Sequence, residues 1–300
     1  MKKILSIFII FIAAWAGALP HDALAGSKDS PLGGLGKALG LDEKTIGVIE
    51  KGAGAVQSLK PIQYEEEKAI GGGVALKVFA RFGGAYPNED LVRYVSMVGK
   101  SVALASDRPD KPYWFAVLNS EEPNAFAAPG GYIFVTFGLL KKLENEAQLA
   151  GVLGHEIAHV AKRHSLQTIE RGKRLHGFSE FSLAVMDQDP KLFSDVIDNV
   201  SELLFTKGMD HSLEYEADRL GTQYAAKLGY QPQGLKQFLD KLSRHQSGGG
   251  GSVFFQTHPP TKSRVDELAA KTLPAYPDPK VFKPVGQRFK SQVKNLWTSE

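Results

Sequence analysis

The 300-residue sequence predicts a mainly helical α+β fold with a small sheet packed beside one long helix. Several segments repeat apolar residues at three- and four-residue steps, which is typical of amphipathic helices. Two short segments, 112–120 and 131–137, are rich in aromatic and β-branched residues and are bounded by turn formers, which indicates strands. An apolar content of 43% and a charged content of 23% place the chain among ordinary globular proteins.

The first 25 residues have the pattern of a secretory signal peptide. Lys2 and Lys3 precede an apolar run that is too short for the roughly 20 residues needed to span a bilayer. Pro20 and the small-x-small site Ala23-Leu24-Ala25 follow, so cleavage is predicted after Ala25. An uncleaved membrane anchor is the alternative. The pattern predicts export to a bacterial periplasm.

Composition excludes several other classes. The sequence contains no cysteine, so disulfides and a lipid anchor at the cleavage site are excluded and the core must supply the stability. The net charge of +3 is small and the basic residues are scattered, so no nucleic-acid partner is expected. No segment after the leader is apolar enough to cross a membrane, which leaves peripheral membrane association as an option.

The rest of the chain divides into a lead, a domain and a tail. Residues 26–61 are glycine-rich and predict a flexible lead, 62–272 form the predicted domain, and 273–300 form a tail with four prolines. In chain order the expected helices cover 65–82, 89–105, 144–164, 212–229, 232–245 and about 261–271, with two more between 165 and 208. The helix at 144–164 carries a face of small residues, which allows another helix to approach closely.

This long helix carries His155, Glu156 and His159 within an otherwise apolar stretch. Residues four apart lie on one face of a helix, roughly 5–6 Å apart at Cβ, so the two imidazoles can bind one metal ion. Glu156 lies about 100° further round, where it can reach a metal-bound water. This is the chemistry of the His-Glu-x-x-His motif. His164, after two basic residues at the helix C-terminus, is assigned a structural role.

A catalytic zinc needs a third protein ligand and an open position. Glu214 is the best candidate, and Asp218, four residues later, can accept the free N–H of a ligand histidine. Glu216 should point elsewhere, towards solvent. The alternative for Glu214 and Asp218 is an acidic helix face paired with lysine or arginine.

The stretch LGHEIAHVAKRH, followed some fifty residues later by HSLEYEADRLG, resembles the HtpX-like and CAAX-prenyl-endopeptidase-like zinc metallopeptidases, metallopeptidase family forty-eight. NAFAAPGGYIFVTFGLL and THPPTKSRV match the same family's pattern, and the resemblance runs from about Tyr64 to Lys271. It implies a gluzincin-type fold, endopeptidase activity and one Zn²⁺ per chain. Some relatives embed the site among membrane helices, whereas this chain resembles the soluble, exported branch.

The resemblance and the residues together predict a mechanism. Glu156 would assist attack of zinc-bound water on a peptide carbonyl and pass the proton to the leaving amine. His258, stiffened by two following prolines, would approach the metal and either stabilise the oxyanion or keep the enzyme latent. Arg264 would hold this loop or the intermediate. A helix-capping loop with a surface histidine is the alternative for His258.

The segment between the two predicted strands suggests where a substrate lies. Asn124, Ala125 and Phe126 sit where the family places a sheet edge, along which a peptide can bind by main-chain hydrogen bonds. An ordinary turn between the strands is the alternative.

Three functions remain open at this stage. The leading one is a periplasmic zinc endopeptidase that acts on unfolded or misassembled envelope proteins, in protein quality control. The second is a chaperone-like protein that holds extended chains with little catalysis. The third is zinc-dependent hydrolysis of a bond other than a peptide bond.

Overall fold

The computed structural model describes residues 62–168, 190–246, 258, 261–278 and 281–294. The predicted leader with its cleavage site, the lead at 26–61 and the glycine run at 248–251 lie outside these ranges.

The predicted helices and strands that fall on described residues occur in the predicted order, with boundaries that differ by a few residues, whereas the strand at 125–128 and the helices at 137–142 and 286–294 were not predicted. The described elements are α1 (Tyr64–Arg81), α2 (Glu89–Leu104), β1 (Trp114–Leu118), β2 (Ala125–Ala128), β3 (Tyr132–Thr136), α3 (Phe137–Lys142), α4 (Glu146–Lys162), α5 (Pro190–Glu202), α6 (His211–Lys227), α7 (Gln233–Gln246), α8 (Thr261–Glu267) and α9 (Gly286–Lys294). A π-helical turn, Leu203–Lys207, follows α5, and another, Leu268–Thr272, follows α8. The predicted class, mainly helical with a small sheet, is confirmed.

The sheet has the order β1-β3-β2, with β1 parallel and β2 antiparallel to β3. Strand β2 lies in the segment that the sequence leaves as an edge or a turn. One face of the sheet, which includes Val117 and Val135, joins the core formed with α2, α4 and α6. The other face, which includes Phe126 and Phe134, packs with α1 and α5. Alternating strand residues therefore serve two apolar clusters, and the strands are almost wholly buried.

Helices α4 and α6 approach each other closely through glycines. A Cβ atom added at Gly154 would lie 2.6 Å from the carbonyl oxygen of Gly221, and one added at Gly221 would meet the backbone nitrogen of His155. The small-residue face predicted for α4 therefore has the packing role that the sequence indicates. Because the backbones nearly touch, side chains on the facing turns of the two helices lie within bonding distance.

The segment predicted as a proline-containing tail contributes to the core. Phe289 and Val293 of α9 are 2% exposed and belong to the same apolar cluster as α4. Just before α9, the carbonyl groups of Pro284 and Val285 accept hydrogen bonds from the backbone of Ala147 and Glu146, at the start of α4. This part of the tail thus packs against the N-terminus of α4.

Among the residues that the structure describes, no helix is both long enough and apolar enough to cross a membrane.

Candidate metal centre

His155 and His159 lie in the C-terminal half of α4 and are 3% and 5% exposed. Asn145 caps this helix through its side chain, which accepts a hydrogen bond from Gln148, and the helix continues without a break to Lys162. The four-residue spacing therefore places both rings on one side. Their Nε2 atoms lie 3.0 Å apart, so the two nitrogens face a common point.

Helix α6 brings a carboxylate to this point. Glu214 Oε1 lies 3.3 Å from His159 Nε2, and Glu214 Oε2 lies 3.5 Å from His155 Nε2. His258 joins the group through Nδ1, 3.0 Å from Glu214 Oε2. Ligand atoms of these four buried residues all lie within 4.8 Å of one another.

Behind His155, a buried ion pair holds the ring. Asp218 Oδ1 lies 2.9 Å from His155 Nδ1. Arg264 donates from Nε to Asp218 Oδ2 at 2.8 Å and from Nη2 to Oδ1 at 2.6 Å, and its Nη1 lies 3.1 Å from Glu214 Oε2. The guanidinium is 1% exposed. Arg264 therefore orders two carboxylates of the site, while the loop that it was also predicted to hold lies outside the described residues apart from His258.

The electrostatics favour neutral histidine on α4 and ionised carboxylates on α6. Burial and the positive charge of Arg264 lower the pKa of His155. Burial alone would raise the pKa of Glu214, but the charges of His258 and Arg264 outweigh it, so this pKa lies well below its usual range. Burial alone would also raise the pKa of Asp218, but the charge of Arg264 outweighs it, so this pKa is lowered. Neutral imidazole and ionised carboxylate are the forms that bind metal.

His258 lies beside the carboxylates of Glu214 and Glu156. Its Nε2 lies 3.3 Å from the carbonyl oxygen of Ala125 and 3.8 Å from Glu156 Oε1. Burial lowers the pKa of His258, but the neighbouring Glu214 more than offsets this and raises it. With an acceptor at each ring nitrogen, His258 is arranged as a donor in this structure.

The predicted substrate residues divide between the edge and the interior of the sheet. Asn124 is fully buried, and its backbone N–H donates to Thr136 Oγ1 at 2.9 Å, so its main chain faces β3. Ala125 turns its carbonyl the other way, towards His258. Phe126 and Ala127 line a narrow pocket beside the site, with a cavity volume of about 10 Å³.

The far wall of this pocket was not predicted. It consists of apolar side chains from the π-helical turn after α5 and the following loop, namely Leu203, Leu204 and Met209. The region 165–208 mixes polar and apolar residues without a clear period, so the sequence carries no signal that these side chains face the site.

His164, which was assigned a structural role at the end of α4, is buried and contacts a predicted metal ligand. It is 0% exposed, and its Nδ1 lies 2.9 Å from His159 Nδ1. Burial, together with the neighbouring His159, lowers the pKa of His164 to about 3, so the ring is neutral at pH 7. The sequence gives no signal for the contact between His164 and His159, because residues five apart on a continuous helix lie on different faces.

The residues present fit a zinc ion. Two imidazole nitrogens and a carboxylate are a donor set that zinc prefers. Glu214 Oε1 and Glu156 Oε1 are both buried, and neither makes a hydrogen bond within the described ranges. A cation between His155, His159 and Glu214 would satisfy the first of these oxygens and separate the two facing nitrogens.

The sequence matches a known protein family. The sequence model of the family described as Peptidase family M48 matches residues 90–272. The chain is 29% identical, over 202 residues, to the beta-barrel assembly-enhancing protease of Yersinia pestis, covering 63% of this chain and 40% of that protein. It is 30% identical, over 176 residues, to the mitochondrial metalloendopeptidase OMA1 of Schizosaccharomyces pombe, covering 58% of this chain and 51% of that protein.

A third relative is the beta-barrel assembly-enhancing protease of Escherichia coli K12, which is 28% identical over 182 residues, covering 58% of this chain and 37% of that protein. The chain thus spans between about two fifths and half of the length of these curated relatives. The matched region includes both helices of the metal centre, and the resemblance read from the sequence motifs is confirmed.

Proposed function

This chain belongs to peptidase family M48, a family of zinc metallopeptidases, and from that premise we propose that it is an endopeptidase that hydrolyses peptide bonds in proteins. The observation that carries the proposal is the convergence of His155, His159 and Glu214, with the buried Glu156 beside them. These three residues would hold the zinc ion, with Glu156 as the catalytic carboxylate.

Zinc, when bound, supplies a Lewis acid that polarises a carbonyl group and lowers the pKa of water towards about 7. Glu156 takes a proton from the attacking water and gives it to the leaving amine. Two features support this role: Glu156 is 1% exposed, and its Oε1 makes no hydrogen bond to another described residue. A buried carboxylate oxygen without such a bond can accept a proton without first breaking one.

His258 and Arg264 have different roles in this proposal. His258 donates from Nε2 towards the oxygen that gains negative charge, which its place near Glu156 supports. Arg264 positions Glu214 and Asp218, and Asp218 fixes the tautomer of His155 by accepting from Nδ1. Withdrawal or retention of His258 at this place would also set whether the resting enzyme is latent.

The substrate lies along the outer edge of β2 in this proposal. N–H and C=O groups of one residue in an antiparallel strand face the same side, and this orientation repeats every second residue. Because the carbonyl of Ala125 faces away from β3, Ala127 also presents its main chain to this edge. An extended peptide can add there as a strand, next to Glu156, while Phe126, Leu203 and Leu204 receive an apolar side chain.

We further propose that the substrates are misfolded or misassembled envelope proteins in the periplasm. Two relatives are named beta-barrel assembly-enhancing protease, and the first 25 residues have the pattern of a leader cleaved after Ala25. We also propose that the catalytic unit starts near residue 62, which the start of α1 at Tyr64 supports.

The experiment compares casein cleavage by wild type, Glu156→Gln and Glu144→Gln, each with its zinc content measured. Glu156→Gln should retain zinc and lose roughly 10²- to 10⁴-fold in kcat, the usual contribution of a general base. Glu144, 59% exposed at its side chain and two residues before α4, is the matched control, and Glu144→Gln should behave as wild type. A chelator should abolish cleavage, and added zinc should restore it.

Full casein cleavage by zinc-loaded Glu156→Gln would contradict the proposed mechanism. A wild type that binds zinc and unfolded casein but cleaves nothing would favour the peptide-holding function. Zinc-dependent turnover of esters without any peptide cleavage would favour hydrolysis of another bond.

A further inference from the structure

The two α4 histidines have different partners behind them. His155 rests against the ionised Asp218, but His159 rests against another imidazole, His164, with 2.9 Å between the Nδ1 atoms. His164 reaches this place because Arg163 adopts a left-handed conformation, with φ of 59°, which ends α4. In a continuous helix a residue five positions later would lie about 140° round from His159.

The contact between the two rings fixes where each proton lies. The Nε2 of His159 faces His155 Nε2 and Glu214 Oε1, so it is the nitrogen that would bind a metal ion held by these residues. A neutral imidazole that binds through Nε2 carries its proton on Nδ1. His159 therefore donates from Nδ1 and His164 accepts with Nδ1, which leaves the proton of His164 on Nε2.

That second proton lies near a carboxylate. His164 Nε2 is buried, lies 3.4 Å from Glu216 Oε2, on α6, and makes no hydrogen bond to a described residue, while the Glu216 side chain is 38% exposed. Glu216 therefore acts on His164 through its charge. The sequence predicts that Glu216 points towards solvent, whereas part of its side chain lies beside the buried His164. The three groups thus form an ordered series from the metal-facing ring of His159, through His164, to a carboxylate at the surface.

We propose that His164 is a positioning residue, which fixes the tautomer and the ring orientation of His159 for metal binding and is itself oriented by Glu216. The inference rests on the metal centre of the proposed function. It predicts two unequal ligands, since a neutral imidazole accepts the His159 proton less strongly than the ionised Asp218 accepts that of His155.

The direct test is the ¹⁵N NMR spectrum of the zinc-loaded full chain, labelled at histidine. We expect His164 as the tautomer protonated at Nε2, and His159 as the tautomer protonated at Nδ1. This measurement uses the wild type and needs no catalytic activity. His164 protonated at Nδ1 would overturn the proposal.

The variants His164→Phe and His164→Gln give a second test, in which zinc affinity is measured with a competing chelator. The first keeps a ring but removes the acceptor, and we expect about a 10- to 100-fold rise in the Kd for zinc. The second keeps an acceptor oxygen and should recover part of this loss. Glu216→Gln should raise the Kd less than His164→Phe does. His211→Phe, which changes an exposed histidine on α6, is the matched control and should leave the Kd unchanged.

The outcomes separate this proposal from the proposed function. An unchanged Kd in folded His164→Phe would overturn the positioning role while leaving the peptidase intact. A wild type that binds no zinc would instead remove the metal centre, and the positioning role with it.

Discussion

Two buried carboxylate clusters lie on the same helix, α4, and they differ in how well they are satisfied. At its start, Glu146 is 0% exposed and accepts from Tyr94 Oη at 2.7 Å, Tyr230 Oη at 2.6 Å and Arg288 Nε at 2.7 Å. Arg288 also bonds to the second carboxylate oxygen. Both oxygens of Glu146 therefore have partners within the protein.

The cluster towards the other end of α4 contains buried polar atoms without hydrogen-bond partners among the described residues. Oε1 of Glu156 and Oε1 of Glu214 are buried and have no hydrogen bond within the described part of the chain. Burying such atoms costs free energy that a bound ligand can recover. Burial alone therefore does not distinguish the two clusters: Glu146 is bonded through both oxygens, whereas Glu156 and Glu214 each keep one oxygen that could bind a cation or a proton.

The largest effect on stability is expected from Glu146→Leu. It leaves the buried hydroxyl groups of Tyr94 and Tyr230 without their acceptor, so the free energy of unfolding should fall by about 3–5 kcal/mol. Urea unfolding of the zinc-free protein measures this. Glu144→Leu, two residues away and exposed, should change it by less than about 1 kcal/mol. A loss in Glu146→Leu as small as in this control would show that the satisfied cluster does not hold the fold.

The second prediction concerns stabilisation by zinc, which should depend on one cluster only. At a free zinc concentration about 100 times the Kd, wild type should gain about 2.7 kcal/mol relative to the zinc-free protein. Glu214→Gln should lose most of this gain, because it removes a ligand. Glu146→Leu should keep the gain, although its baseline is lower.

Unfolding with and without zinc measures the two gains under identical conditions. If Glu214→Gln and Glu146→Leu lost the same part of the stabilisation by zinc, the two clusters would act as one unit.

The smallest effect is expected from Gly221→Ala, which disturbs only the second cluster. The added methyl group meets the backbone at His155, so α6 must shift away from α4, at about 1–3 kcal/mol, and zinc should bind more weakly. Gly72→Ala is the matched helical control, because its Cβ would lie 3.7 Å from Tyr132 Oη, an ordinary contact. Unaltered zinc affinity in Gly221→Ala would show that this close approach does not set the site geometry.

Local patterns predicted the helices and the histidine pair, because both depend on spacing along one helix. The small residues of α4 likewise predicted a close neighbour, which Gly221 of α6 provides. The roles assigned to Glu156 and Glu214 remain predictions until the variants are measured.

Features that depend on tertiary structure were not predictable in the same way. Strand β2 is only four residues long, Ala125–Ala128, and pairing with β3 makes it a strand. His164 reaches His159 through a single left-handed residue, Arg163, which no helical pattern indicates. The core role of Phe289 was hidden because its segment follows four prolines and its partners lie far away in sequence.

The position of Arg288 has a consequence for synthesis of the protein. It bonds to Glu146 across 142 positions of the chain. A contact across so many positions can form only after α9 has been synthesised, so Glu146 is present on the growing chain before its arginine partner is.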